Sequence, residues 1–141
     1  MLRVVLDHIV LTSALLNPHG SPARLLDFAL QGRLRLFATP GMLAIESKAL
    51  RSGLLRKCHR MTDRELSELI ADLPVLLCLV PDPGKAERTR TMMGEVLSCA
   101  ARSNADFLVI SDELQARNFE AGGAEIVKAD QFVKLIGRGV S

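Results

Sequence analysis

Short, predominantly apolar runs alternate along this chain with stretches in which apolar residues recur at helical spacing. The runs fall at 4–6, 34–37, 75–80, 107–110 and 124–127, and several are rich in valine and isoleucine. Runs of that length and make-up suit strands buried on both faces of a parallel sheet better than they suit helix segments. Between them the pattern predicts helices with recognisable starts and stops. Residues 9–16 form a short helix that Asn17-Pro18-His19-Gly20 breaks. Ser21-Pro22 supplies a cap followed by proline at the first helical position, with Leu25, Leu26 and Ala29 on one face and Gly32 as the stop. Thr39-Pro40 repeats that start for a helix carrying Met42, Leu43 and Leu50 to about Gly53. Thr62 and Glu65 frame a capping box for a helix running to Leu73. Further helices are expected over 91–102 and 129–136. Strands alternating with helices throughout imply an α/β fold, a three-layer sandwich with a mostly parallel central sheet. At 141 residues, with no internal repeat, the simplest organisation is one domain spanning 1–141.

Two of the strand-like runs end on an acid. Asp7 follows Val4-Val5-Leu6, and Asp112 stands two places after Ile110. In open α/β sheets ligands bind in the crevice outside the carboxyl ends of the strands, so these two carboxylates converge there if their strands are neighbours. Asp7 has an equally economical structural role, capping the helix that starts near Ile9. His8 reads either as a hydrogen-bonded histidine near a strand end or as a ligand for a late transition metal beside Asp7. His19 and His59 fall in loop positions. Ser111 reads as turn chemistry, because no base accompanies it as a nucleophile.

Composition narrows the function classes. Hydrophobic residues make up 48% and charged residues 24%, which excludes a disordered chain. Trp and Tyr are absent, which removes the stacking platforms of a sequence-tolerant single-strand binder, so any nucleic-acid contact rests on charge or metal. The net charge of +2 does not by itself argue for nucleic acid. The basic residues are clustered, however. Arg51, Arg56, Lys57, Arg60 and Arg64 form one group, and Lys85, Arg88 and Arg90 form another. Each is either a solvated face or a phosphate-contacting rim. Cys58, Cys78 and Cys99 are widely spaced and read as reduced thiols of a cytoplasmic protein. Cys58-His59 has no second pair at zinc-ligand spacing. Asp7 and His8 interrupt what would be the apolar region of a signal peptide, and the longest apolar run, 75–80, is too short to span a bilayer.

A family resemblance runs through most of the chain. Val4-Val5-Leu6-Asp7 followed by Ser13-Ala14-Leu15-Leu16 resembles the first strand and helix of the PIN domains of bacterial toxin-antitoxin toxins, where the strand runs into Asp-Thr-Asn-Val. Thr39-Pro40 before a helix, Ala105 through Asp112, Gly123-Ala124-Glu125-Ile126-Val127, and Phe132 in a last helix match in order. The resemblance implies a metal-dependent endoribonuclease using Mg or Mn, a homodimer, and an antitoxin-like protein partner. It makes Asp7 and Asp112 the catalytic and metal-binding acids; the charge clustering separately offers Arg51, Arg56, Lys57, Arg60, Lys85, Arg88 and Arg90 as RNA contacts. Magnesium suits such a site because it takes a few carboxylates, waters and substrate phosphate oxygens.

Two of the family's four acids do not carry over. The glutamate expected in the helix after Ser/Thr-Pro falls on Ile45, and Glu46 lies about 100° further round the helix, so it is expected to point away. The third acid falls on Met93, with Glu95 the nearest carboxylate. The Asp-Thr-Asn sequence has become Asp7-His8-Ile9, and Ile110 stands where the family has threonine. The first expectation is therefore a PIN-type domain with weak or lost RNase activity. A second is a working enzyme in which Glu46, Glu95 or Asp106 substitutes. A third is a non-catalytic module binding RNA, a sister subunit or another protein.

Overall fold

The computed structural model describes residues 1–52, 61–81, 92–111 and 123–137 of the chain. In chain order the elements are β1 (Leu2–Leu6), α1 (His8–Leu16), α2 (Ser21–Leu30), β2 (Leu34–Ala38), α3 (Pro40–Leu50), α4 (Asp63–Leu76), β3 (Cys78–Leu79), α5 (Met92–Arg102), β4 (Phe107–Ile110), β5 (Glu125–Lys128) and α6 (Ala129–Gly137). The five strands form one sheet in the order β3-β2-β1-β4-β5, and every pairing is parallel. Helices flank this sheet, which gives the expected three-layer α/β sandwich.

The central strands are continuous apolar runs because both faces of the sheet are covered. Val4, Val5, Leu108 and Val109 are fully buried. Each such side chain contributes on the order of 1.5–3 kcal/mol by leaving water. Phe107 packs its ring 4.7 Å from that of Phe132, tying β4 to α6. Side-chain caps start α3 and α4 where the sequence marks them, whereas Ser21 is the first residue of α2 rather than its cap: Gly20 takes the cap position and no side chain bonds there. Thr39 accepts from the Met42 amide, and Thr62 and Glu65 complete both halves of the capping box. Gly32 takes φ +75°, the left-handed turn that releases the chain from α2 into β2.

One strand differs from expectation. Residues 75–80 are not a six-residue strand: Val75 and Leu76 finish α4, which carries Pro74 within it, and only Cys78 and Leu79 pair with β2. Both strand residues are exposed, as fits a short edge strand.

The strand order reverses at β1. Chain order runs outward through β2 and β3 on one side and through β4 and β5 on the other. The crevice at the carboxyl ends of β1 and β4 is thus the switch point at which open α/β sheets bind ligands.

Candidate functional site

Asp7 occupies that switch point. Its amide donates to the Val109 carbonyl at 2.9 Å, continuing the β1–β4 ladder one residue past β1. Its side chain caps α1, Oδ1 accepting from the Val10 amide at 2.7 Å. Oδ2 accepts from the Ser111 amide at 3.0 Å and from the Ser111 hydroxyl at 3.3 Å. The carboxylate is 6% exposed and joins the ends of both central strands. The capping role is therefore real, and Ser111, the residue before Asp112, meets Asp7. Asp112 itself lies outside the described residues.

Glu46 overturns the expectation that it points away. It is 1% exposed, whereas Ile45 is 39% exposed. Met42, Leu43 and Leu50 are the buried stripe of α3, and Glu46 stands four, three and four residues from them, on the same face. That spacing was present in the sequence and is the signal that places this acid inside. Its partners come from α1, where His8 and Thr12, one turn apart, face α3. Thr12 Oγ1 donates to Glu46 Oε1 at 2.7 Å. His8 Nδ1 lies 2.5 Å from Oε2, a close ion contact without the alignment of a hydrogen bond. Burial pushes the Glu46 carboxyl above its ordinary range, and the Thr12 hydrogen bond and the His8 charge act against that rise. Thr12 Oγ1 also lies 2.9 Å from the His8 carbonyl. One hydroxyl hydrogen cannot serve both acceptors, so when it turns to the carbonyl a proton on Glu46 can complete the other contact. His8 is thus a histidine held beside a strand end, with a buried carboxyl as its partner.

The other substitute acids stand elsewhere. Asp106 precedes β4, where its amide donates to the Arg3 carbonyl at 2.7 Å and its Oδ2 accepts from the Arg3 amide at 2.8 Å. This is the amino edge of the sheet, about 13 Å of strand away from Asp7 at roughly 3.3 Å per residue, so Asp106 is no substitute ligand. Glu95 sits half-buried in the first turn of α5 and forms no ion pair or hydrogen bond with Asp7 or Glu46. One turn on, Cys99 is buried and its thiol pKa is pushed up to about 11, chiefly by that burial, which leaves it unreactive. Met93's side chain lies outside the described residues.

Of the basic residues, Arg51 is exposed at the end of α3, and Arg64 pairs with Glu68 one turn on at 3.3 Å on an exposed face. Such a pair contributes little to stability. Arg56, Lys57, Arg60, Lys85, Arg88 and Arg90 lie outside the described residues, as do Cys58 and His59.

The described donors do not fit a magnesium site. Both oxygens of Asp7 and both of Glu46 face protein donors, and no group of three or more His, Cys, Asp or Glu side chains able to hold a metal occurs among the described residues. Also among them, no helix is long and apolar enough to cross a membrane. The chain matches no family model and no curated protein.

Proposed function

We propose that this is a PIN-type domain, of the toxin-antitoxin ribonuclease group, in which metal-dependent RNA cleavage is weakened or lost. The observation that carries the reading is the commitment of Glu46 to His8 and Thr12. Magnesium-assisted hydrolysis needs carboxylates that face the ion and the water it activates. Here a histidine side chain stands against Glu46, the one buried glutamate among the described residues. The parallel sheet with Asp7 at its switch point supports the family assignment, and the basic residues support retained contact with RNA or with a protein partner. A cytoplasmic homodimer that binds an antitoxin-like protein belongs to the same reading.

A second reading has its own support, because Glu46 rather than Ile45 faces α1. With His8 swung aside, Glu46 would be the substitute acid beside Asp7 in a working Mg- or Mn-dependent endoribonuclease. Cleavage of end-labelled RNA in Mg²⁺ or Mn²⁺, with chelator controls, separates the two. The first reading expects traces of cleavage at most. Robust chelator-sensitive cleavage by the parent, lost in both Asp7→Asn and Glu46→Gln, establishes the second.

A further inference from the structure

Beside the switch point, on the β4–β5 side, the carboxyl edge opens into a cleft of about 340 Å³. Ile9, Val10, Pro22 and Ile110 give it apolar walls, while Ser13, Ser21, Ser111, Lys128 and Asp130 supply polar groups. Its volume is at the lower end of small-ligand sites, which run about 300–1,000 Å³, and so suits one nucleotide and excludes a duplex. Ile9 is 60% exposed although it is a large apolar residue at the start of a helix, and it borders this cleft. Ser111 belongs to both places, lining the cleft and donating to Asp7.

The charges in the cleft narrow the class of ligand. Lys128 and Asp130 both line it, yet they form no ion pair with each other, and neither charged group has a hydrogen-bond partner among the described residues. A bare phosphate would meet the ammonium favourably and the carboxylate unfavourably. A ligand edge carrying an acceptor beside two donors satisfies both. Among RNA bases, guanine presents that set, with O6 as acceptor and N1–H and N2–H as donors, and its flat faces suit the apolar walls. We infer that this cleft is a base-binding subsite that takes a guanine nucleotide, next to the edge on which Asp7 stands. The placement of an RNA strand there rests on the ribonuclease-type reading above. The preference for a guanine nucleotide rests on the cleft alone.

Titrating GMP, AMP, CMP, UMP and inorganic phosphate into the full chain, followed by NMR or calorimetry, tests the assignment. GMP should bind at least ten-fold more tightly than the other nucleotides, and inorganic phosphate should not compete. Asp130→Asn should erase the preference for GMP over AMP. Lys128→Met should weaken GMP by five-fold or more, and Ser13→Leu, which fills the cleft, should abolish binding while circular dichroism reports an intact fold. Absence of nucleotide binding, equal affinity for all four, or GMP affinity indifferent to the three cleft variants overturns the subsite. GMP bound through the cleft by a protein that ignores RNA oligomers supports the subsite and sinks the RNA reading; RNA bound with no response to the cleft variants does the reverse.

Discussion

Replacing His8 with alanine should make the stability of this protein depend more steeply on pH, in a direction set by Glu46. Burial raises the Glu46 pKa above the ordinary 4.5, while Thr12 and His8 hold it down. A carboxyl whose folded pKa is raised keeps a proton that the unfolded chain releases. Its contribution to stability is whole below about pH 4.5 and is lost as pH rises through the folded pKa. His8→Ala removes one of the two opposing influences, moves the folded pKa further up and extends the window over which stability falls. The size follows from the geometry. Breaking a fully buried ion pair costs about 3–5 kcal/mol. The His8 side chain is 28% exposed, and an unpartnered Glu46 can take up a proton. The cost at pH 6 is therefore set at about 1–3 kcal/mol, that of a buried polar group left unsatisfied. For a chain of this length that is a fall in Tm of roughly 4–12 °C. Near pH 4.5 the same substitution should cost under about 1 kcal/mol, because Glu46 is then protonated with or without the imidazole. Thermal unfolding by circular dichroism from pH 4 to 6, for the parent, His8→Ala, Glu46→Gln and the double variant, reads this directly, since the exposed carboxylates cancel in the differences. The gap between parent and His8→Ala should widen as pH rises and should become flat in the Glu46→Gln background. A gap that narrows with pH, or one that persists unchanged without the carboxyl, refutes the pairing.

Asp7→Ala should lower stability by about 2 kcal/mol, the upper end for a lost helix cap, because the Ser111 amide and hydroxyl lose their acceptor along with Val10; chemical denaturation measures it. Leu108→Ala, in the middle of the buried β4, should cost about 2–5 kcal/mol in the same experiment. Ile45→Glu should change stability by less than about 0.5 kcal/mol and add no metal-induced Tm shift, since its side chain faces outward on α3. RNA affinity, measured by fluorescence anisotropy, should fall steeply with added salt and drop further in the Arg56→Ala, Lys57→Ala, Arg60→Ala triple variant, because phosphate contacts release counterions. A flat salt response would assign those side chains to a solvated face.

The sheet was legible because its central strands are buried on both faces, so Val4-Val5-Leu6 and Phe107 through Ile110 carry no polar interruption. The caps at Thr39 and Thr62 were legible because their side chains do one local job. The stretch from Val75 to Val80 reads as a strand because hydrophobicity alone cannot tell the last turn of a helix from an edge strand. A proline inside a helix usually breaks it, yet α4 passes through Pro74 to Leu76. Glu46 differs for another reason. The family's glutamate aligns with Ile45, whereas the spacing of Glu46 from Met42, Leu43 and Leu50 sets it on the inner face. Its pairing with His8 joins residues 38 positions apart on two helices. That pairing depends on how α1 crosses α3, and no local pattern encodes it.

Calorimetric titration of Mn²⁺ into the parent protein, with Asp7→Asn and Glu46→Gln as controls, bears most directly on whether Glu46 is committed to His8 and Thr12. The commitment predicts weak binding, with a Kd above about 1 mM, corresponding to less than about 4 kcal/mol. It also predicts no change in either control. Micromolar binding that both substitutions abolish would contradict it, and would put a metal ion between Asp7 and the Glu46 carboxyl that His8 and Thr12 now face.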